Sequence, residues 1–220
     1  MTASVVLVTA RMFGRSGDAA ARRLGAAGCK VRFAPGRDRP LGAAEVRPLM
    51  DGVTAVIAGI EPWTDRLMAS APELRLICRF GVGYDSVDVE AASRRKIFVA
   101  ITPAANQTAV AEFTMALILA VTRRVAFLDA EVRRGRWAPS SGPELRGRTL
   151  GIVGLGAIGR VVAEQALAFG MQVVACDIAP DRAFVASRGI RLMDLDALLA
   201  GSDIVSLHVP LTPQTRQLIN

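Results

Sequence analysis

The first half of the chain alternates short apolar runs with longer stretches in which apolar residues recur every three or four positions. Short runs rich in Val, Ile and Leu are typical of buried strands, and the longer spacing is typical of amphipathic helices. The pattern predicts strands at 5–8, 30–33, 55–58, 76–79 and 98–101. It predicts helices at 18–27, 43–50, 64–70 and 88–95. This alternation indicates a parallel, doubly wound sheet.

The pattern changes near Pro103. Residues 110–128 form one long, strongly apolar stretch that predicts a single helix, and so apolar a helix needs cover on most of its surface. After a loop rich in Gly, Pro and Ser, the alternation of strands and helices resumes. The predicted strands are 150–153, 171–176, 190–192 and 203–208, and the predicted helices are 160–169, 195–200 and 212–219.

Three glycines, Gly154, Gly156 and Gly159, stand between an apolar strand and a helix in the spacing G-x-G-x-x-G. In that context the first permits a tight turn, the second lets the backbone approach a pyrophosphate, and the third lets the helix pack on the strand. The start of the helix offers free N–H groups and a positive dipole end to phosphates. Asp177 ends the next strand, where its carboxylate can bind a ribose diol. The sequence therefore predicts a dinucleotide site.

The number of strands bears on the fold class. A complete dinucleotide-binding fold has about six strands, and only four are predicted after Gly142. The sequence therefore predicts an α/β protein with two doubly wound parallel-sheet domains, the second a Rossmann domain lacking its last strands.

Composition narrows the classes of function. With 51% apolar residues the chain can build a packed core, and no apolar run is long enough to span a membrane. The net charge of +7 raises nucleic acid as a partner. However, the arginines are spread in pairs without interleaved aromatic residues, so no nucleic-acid partner is expected. Cys29, Cys78 and Cys176 are scattered without a C-x-x-C spacing, which favours the cytoplasm and argues against a metal site.

Several longer stretches resemble the D-2-hydroxyacid dehydrogenase family, especially its phosphoglycerate dehydrogenase-like branch. The stretches that carry the resemblance are 76–88, 106–113, 144–151, 206–212 and 215–220. The resemblance implies an enzyme that transfers hydride between NAD and a small 2-hydroxy acid or its 2-keto partner. It implies a flavodoxin-like substrate domain at 1–103, an NAD-binding Rossmann domain at 104–220, and a homodimer formed through helix 110–128.

The glycine pattern and the resemblance together assign site residues. The residues implied to hold the cofactor are Val82, Gly154, Gly156, Ala157, Ile158, Gly159, Asp177, His208, Val209, Pro210 and Thr215. The resemblance places Gly81, Val82 and Asn106 at the border of a substrate cleft between the domains. Asp177 would favour NAD over NADP, because a carboxylate repels a 2′-phosphate, and Arg182 nearby would soften that preference.

Two features depart from the family's pattern. Glu61 stands where the phosphoglycerate enzymes carry an Arg-Ser phosphate contact, which argues against phosphoglycerate as the substrate. The family's catalytic Arg, Glu and His correspond to positions beyond Asn220. The chain is therefore expected to be C-terminally truncated, to contain no catalytic residue and to turn over poorly by itself. His208, the one histidine, is interpreted as lining the cofactor, because no carboxylate is placed by the sequence to orient it as a base.

An alternative from another class of protein stays open. The chain is also compatible with a non-catalytic NAD-binding interaction or regulatory protein. In that case the apolar helix at 110–128 would be the surface that contacts a partner.

Overall fold

The computed structural model describes residues 4–14 and 19–219, and the chain divides into two compact units, Met1–Ala105 and Asn106–Asn220. We call these unit 1 and unit 2. Asp18, the predicted first residue of the first helix, lies outside the described residues, as does Asn220 at the end of the stretch 215–220.

Unit 1 is a five-stranded parallel sheet in the order β2-β1-β3-β4-β5. Its strands are β1 (Val5–Val8), β2 (Lys30–Phe33), β3 (Ala55–Ala58), β4 (Leu76–Arg79) and β5 (Phe98–Ala100). Its helices are α1 (Ala19–Ala26), α2 (Ala43–Val46), α3 (Asp65–Ala69) and α4 (Val89–Arg94). The strand order reverses between β1 and β3, and ligands of such open α/β sheets bind at the carboxyl ends of the strands at that point.

Local chemistry sets the helix ends in unit 1. The carboxylate of Asp88 accepts a hydrogen bond from the Ala91 N–H at 2.9 Å, as the sequence predicts for an N-cap. The predicted helix 43–50 is only partly correct, because the α-helix ends at Val46 and a 3₁₀ turn, Arg47–Leu49, follows. Pro48 has no N–H to donate, so the α-helical hydrogen-bond ladder cannot continue through it.

Unit 2 is a four-stranded parallel sheet in the order β8-β7-β6-β9 within the described residues. Its strands are β6 (Thr149–Val153), β7 (Gln172–Cys176), β8 (Arg191–Leu192) and β9 (Ile204–Leu207). Its helices are α5 (Gln107–Thr122), α6 (Val125–Arg133), α7 (Ala157–Ala168), α8 (Arg182–Arg188) and α9 (Leu195–Gly201). The predicted class, α/β with two parallel sheets, is confirmed.

Apolar residues cover both faces of the sheet in unit 2. Leu150 and Ile152 pack in one cluster with residues of α5 and α7, whereas Val153 packs in another with Leu198 of α9. This division follows from the strand period of two, which points successive side chains to opposite faces. Gly151 lies under α9, and a Cβ on it would come within 2.6 Å of the Leu198 side chain. The lack of a side chain at Gly151 therefore allows α9 to pack closely on β6.

The prediction of one continuous helix at 110–128 is wrong. The dimer predicted through this segment is a separate prediction. The segment is two helices, since α5 ends at Thr122 and α6 begins at Val125. Arg124 between them adopts a left-handed conformation, with φ 53° and ψ 37°. A non-glycine residue in this conformation is uncommon and has no local sequence signature. The hydrophobic pattern therefore continues across residues 123 and 124 and does not reveal the break.

Two further elements of unit 2 differ from the predictions. Helix 212–219 is wrong: the segment forms turns, and Gln217 has a left-handed φ of 54° that does not fit a helix. Helix α8 was missed, although Asp181 caps it by accepting from the Ala183 and Phe184 N–H groups at 3.1 Å each. With seven residues, α8 is too short to show a clear helical period.

Membrane spans and metal clusters are both absent from the described residues. No helix among them combines the length and the apolar character that crossing a membrane requires. Within residues 4–14 and 19–219, no group of three or more His, Cys, Asp or Glu side chains is arranged to hold a metal ion.

Candidate functional site

The glycine turn of unit 2 is held at the carboxyl ends of β6 and β7. Gly154 has φ 93°, and its N–H donates to the Cys176 carbonyl at 2.8 Å. A Cβ on Gly154 would lie 2.8 Å from the carbonyl carbon and oxygen of His208, closer than real Cβ atoms come. Both the backbone conformation and this contact therefore require glycine.

Gly156 occupies a different environment at the start of α7. It is the N-cap, exposed, with φ −76° and ψ −157°, which any residue can adopt. A Cβ on it would meet nothing within 4 Å. Gly159, by contrast, is buried, and a Cβ there would overlap the Gly154 carbonyl oxygen. The third glycine thus lets the helix pack on the turn, and the second leaves open space before the helix N-terminus, where backbone N–H groups can bind an anion.

Asp177 is fixed beside this turn. Its Oδ2 accepts from the Leu155 N–H at 2.6 Å, and its Oδ1 accepts from the Ala179 N–H at 2.7 Å. A carboxylate has about four acceptor positions. The side chain is therefore oriented by the backbone and keeps acceptor capacity for a pair of hydroxyl groups.

A cavity of about 630 Å³ opens at this edge of the sheet. Its lining includes seven of the predicted cofactor residues: Gly154, Gly156, Asp177, His208, Val209, Pro210 and Thr215. Ala157, Ile158 and Gly159 lie next to it, in the first turn of α7. Val82 belongs to unit 1.

Sequence reasoning missed part of the lining. The additional residues are Val153, Cys176, Ile178, Leu195, Thr212, Gln214 and Leu218. Ile178 is fully exposed, with a relative accessibility of 105%, although it directly follows the acid of the glycine motif. In the sequence, the one available signal was its position directly after that acid. Leu195 and Leu218 reach the cavity from distant parts of the chain, which no local pattern indicates.

His208 is held by its own strand and its neighbour. Its backbone N–H donates to the Val153 carbonyl at 2.7 Å, and its ring Nε2 lies 2.9 Å from the Ser206 hydroxyl. Burial lowers the pKa of His208, so the ring is neutral near pH 7. In the part of the chain that the structure describes, no carboxylate bonds the imidazole. The interpretation that His208 lines the cofactor and is not a general base stays a prediction.

Cys176 brings a thiol to the same cavity. Burial raises the pKa of the Cys176 thiol, and the negative charges of Asp177 and Asp194 raise it further. The raised pKa keeps this thiol protonated near neutral pH. Because the thiolate is the reactive form of cysteine, the protonated thiol is a weak nucleophile.

The cavity wall after β9 is stabilised by two threonines. The Thr215 hydroxyl donates to the Pro210 carbonyl at 2.5 Å and accepts from the Thr212 N–H at 2.8 Å. In return, the Thr212 hydroxyl accepts from the Thr215 N–H at 3.2 Å. These reciprocal bonds satisfy backbone groups that a single helical turn leaves free. Thr215 therefore shapes the cavity through the backbone as well as lining it.

The other predicted site residues lie in unit 1 or at the start of unit 2. Gly81 and Val82 follow β4, and the Gly81 carbonyl accepts from the Thr102 N–H at 3.0 Å. Asn106, the first residue of unit 2, is exposed and is the N-cap of α5, although its side chain makes no capping bond.

Glu61 is an internal residue of unit 1, with only 2% of its surface exposed. Its Oε1 accepts from the Gly59 N–H at 3.0 Å, from Trp63 Nε1 at 3.2 Å and from the Thr9 hydroxyl. It borders a cavity of about 240 Å³ at the carboxyl ends of β1 and β3. Three arginines, Arg11, Arg39 and Arg79, also line that cavity, so it carries charges of both signs.

The site in unit 2 has the features that a dinucleotide requires. It offers a glycine turn that a Cβ would block, an open helix N-terminus, an oriented carboxylate and an apolar cavity. A volume of about 630 Å³ lies in the range of small-molecule and cofactor sites. The residues present therefore fit a nicotinamide dinucleotide.

Comparison with known proteins agrees with this geometry. Residues 115–220 match the family model described as D-isomer specific 2-hydroxyacid dehydrogenase, NAD binding domain. The chain is 42% identical over 195 residues to D-3-phosphoglycerate dehydrogenase of Mycobacterium leprae (strain TN), covering 87% of this chain and 36% of that enzyme. It is 44% identical over 163 residues to glyoxylate reductase of Thermofilum pendens (strain DSM 2475 / Hrk 5), covering 70% of this chain and 48% of that enzyme. The chain thus spans half or less of these relatives.

Solved structures share the fold. The crystal structure of the TT0316 protein from Thermus thermophilus aligns with a TM-score of 0.84 and 39% sequence identity, covering 97% of this chain and 67% of that one. The prediction of NAD as the cofactor is confirmed by the family match, which falls on the unit that holds the glycine turn. The chain belongs to the D-isomer specific 2-hydroxyacid dehydrogenase family.

Proposed function

We propose that this protein is of the type that carries out reversible hydride transfer between NAD and a small 2-hydroxy acid or its 2-keto partner, and that residues 1–220 by themselves bind the cofactor without sustained turnover. The observation that carries the proposal is the glycine turn of unit 2 with Asp177 fixed beside it. NAD supplies the hydride acceptor when bound. Family membership and the printed names of the relatives, a phosphoglycerate dehydrogenase and a glyoxylate reductase, support an acid of this class as the substrate.

The proposed roles follow the geometry of the cavity. The pyrophosphate binds at Gly156 and at the N-terminus of α7, where Ala157 and Ile158 form the first turn. Asp177 accepts the hydroxyl groups of a ribose, which favours NAD over a 2′-phosphorylated cofactor. His208, Val209, Pro210 and Thr215 line the cavity, with His208 and Val209 next to Gly154. Val82 is proposed as a further cofactor residue. Gly81, Val82 and Asn106 border the substrate, with unit 1 as the substrate domain.

Titration with NADH and NADPH tests the cofactor half of this proposal. We expect NADH fluorescence to change on binding and NADPH to bind at least about tenfold more weakly, since the Asp177 carboxylate repels a 2′-phosphate. Asp177→Asn should narrow that difference, because the amide keeps the size of the side chain and removes its charge. Unchanged NADH fluorescence at high protein concentration would count against the site.

A turnover assay on the same samples tests the chemistry of residues 1–220. We expect the isolated polypeptide to bind NAD without sustained oxidation of a 2-hydroxy acid. The reaction needs a base for the hydroxyl proton, and the one histidine bonds Ser206 instead of an orienting carboxylate. Robust NAD-dependent oxidation by this polypeptide would contradict the expectation and would make His208 the first residue to test as a base.

We also propose a homodimer formed through α5. Phe113, Leu117 and Val121 follow each other at four-residue intervals and are 50–76% exposed, whereas Ala111, Met115 and Ile118 are buried in the core of unit 2. Large apolar side chains aligned on one exposed helix face are typical of an interface. The corrected helix boundaries leave this stripe within α5.

Sedimentation equilibrium tests the dimer. We expect twice the 23.3 kDa of one chain, and a shift to the monomer in Leu117→Glu, because a charge at the centre of an apolar interface is not solvated. Val89→Glu, at an exposed apolar position in unit 1, is the matched control. A monomeric wild-type chain would refute the dimer. A mass that changes with NAD, without turnover, would favour the alternative of a non-catalytic NAD-binding interaction protein.

The compartment is proposed from the cysteines. Cys29, Cys78 and Cys176 are all free thiols in the structure. Free cysteines are typical of reducing compartments, which supports a cytoplasmic location.

A further inference from the structure

Ser206 and His208 form a pair at the end of β9. Residues two apart on an extended chain point to the same side, and here the Ser206 Oγ lies 2.9 Å from the His208 Nε2. His208 lines the cavity of unit 2, whereas Ser206 does not. Ser206 therefore contacts the imidazole without itself belonging to the lining of the cavity.

The bond to Ser206 links the position of the ring proton to the direction in which the hydroxyl points. A neutral imidazole has one nitrogen that donates and one that accepts, and a hydroxyl can bond either of them. Among the described residues, the Ser206 hydroxyl bonds no group other than this ring, and Nε2 is the only ring nitrogen with a protein partner. If the hydroxyl donates to Nε2, the ring proton is on Nδ1. The ring then carries a donor that no described protein group uses.

A dinucleotide supplies the complementary group, because its phosphates and riboses are rich in acceptor oxygens. Two polar side chains at the cavity, those of Asp177 and Thr215, do not donate to them, whereas the side-chain amide of Gln214 in the same lining can. The Asp177 carboxylate is an acceptor, occupied by the Leu155 and Ala179 N–H groups, and the Thr215 hydroxyl already donates to the Pro210 carbonyl. A neutral Nδ1–H on His208 therefore adds a donor that Asp177 and Thr215 do not offer.

We propose that Ser206 is a positioning residue that acts through His208. Its hydroxyl donates to Nε2, holds the neutral imidazole in the Nδ1–H tautomer and so presents the Nδ1–H to an acceptor oxygen of the bound cofactor. The part of this proposal that concerns the cofactor rests on the proposed function. The part that concerns the tautomer does not.

The surroundings of the ring keep it neutral. The titratable groups that share its cavity are Cys176 and Asp177. Asp177 bonds backbone N–H groups, and the pKa of Cys176 is raised, so the thiol is uncharged. The adjacent strand β6, residues Thr149–Val153, carries no ionisable side chain. Burial lowers the pKa of His208 itself. A tautomer, and not a charge, is therefore what Ser206 selects near neutral pH.

The tautomer can be measured directly because the chain has one histidine. In ¹⁵N NMR spectra of the cofactor-free protein at about pH 7, we expect a protonated Nδ1 and an unprotonated Nε2. Ser206→Ala should lose this pattern, Ser206→Thr should keep it because the hydroxyl remains, and Ser187→Ala is the matched control for removing a hydroxyl elsewhere. A wild-type ring protonated on Nε2, or a Ser206→Ala spectrum like that of wild type, would overturn the proposal.

Cofactor affinity then tests the role of the donor. Ser206→Ala should weaken NADH binding about three- to tenfold, the usual effect of one hydrogen bond, while Ser206→Thr stays within about twofold of wild type. Melting temperatures checked against Ser187→Ala show whether the fold is retained. Equal losses in Ser206→Ala and Ser206→Thr would overturn the role of the hydroxyl. If wild type itself does not bind NADH, the proposed function fails together with the donor role, and the NMR result still decides the tautomer.

Discussion

Replacing Gly156 with alanine is expected to weaken NADH binding on the order of a hundredfold or more and to leave the fold intact. The backbone of Gly156 already has φ −76° and ψ −157°, which alanine adopts without strain, and its Cβ would meet no protein atom within 4 Å. The open space that makes the substitution harmless to the fold is the space that a pyrophosphate must enter to reach the N–H groups of α7. A methyl group there keeps the phosphates away from those donors.

A second glycine provides the control. Gly201, in α9, also has no neighbour within 4 Å of a built Cβ, and it lies outside the cavity lining. Gly201→Ala should leave both NADH affinity and melting temperature close to those of wild type. The test is a fluorescence titration with NADH and a thermal melt of wild type, Gly156→Ala and Gly201→Ala. Unchanged affinity in Gly156→Ala would show that the cofactor does not approach this turn.

Replacing Gly154 with alanine is expected to destabilise unit 2 itself, by roughly 2–5 kcal/mol. A left-handed conformation costs about 1–2 kcal/mol for a residue with a Cβ, and Gly154 has φ 93°. Forcing extra atoms into a packed site costs about 1–3 kcal/mol more, because the Cβ would lie 2.8 Å from the His208 backbone and 2.9 Å from the Val209 side chain. The neighbours at 2.8 Å are backbone atoms of an adjacent chain segment, which cannot rotate away.

Gly189 separates the cost of the left-handed conformation from the cost of the close contact. It also has a left-handed φ, 63°, but a Cβ there would meet nothing within 4 Å. Gly189→Ala should therefore lose only the conformational part, about 1–2 kcal/mol. Urea denaturation followed by circular dichroism gives both values. Equal losses in the two variants would mean that the contact with His208 contributes nothing, and a Gly154→Ala protein as stable as wild type would contradict the geometry of the turn.

Much of the fold follows from local pattern. The nine strands found among the described residues lie where short runs rich in Val, Ile and Leu predict them, with ends that differ by at most one residue. Strands in parallel sheets are buried on both faces and therefore read as apolar runs. The N-cap Asp88 is also visible locally, because its side-chain oxygen satisfies the free N–H group three residues later.

Two of the errors in unit 2 have a common cause. The break at Arg124 and the turn at Gln217 are left-handed residues without glycine or asparagine, so nothing in the local sequence marks them. At Arg124 the conformation is accompanied by side-chain contacts. Its guanidinium lies 4.2 Å from the centre of the Phe127 ring and donates to the Ser140 hydroxyl at 2.9 Å. Contacts of this kind depend on tertiary packing and leave no periodic signal.

The site shows the same division. The sequence identified the glycines and Asp177 because their chemistry lies within one strand–turn–helix–strand unit. The sequence predicted that the charge of Glu61 would repel a substrate phosphate. In the structure that carboxylate is buried and bonded to Thr9, Gly59 and Trp63. Thr9 precedes Glu61 by 52 residues, and the pairing arises only because β1 and β3 are neighbours in the sheet. The same sheet brings Glu61 near arginines from three other segments.

The sequence by itself determined the alternation of strands and helices, the family, and the residues of the glycine turn. Each of these depends on residues close together in the sequence. The period of the side chains sets the type of element, and the backbone freedom of glycine sets the turn. Only the tertiary structure decided where the apolar helix breaks, which leucines line the cavity, and that Ser206 bonds the ring of His208. Those features depend on which segments meet in space, and the free energy of such contacts is not encoded in any single stretch of the chain.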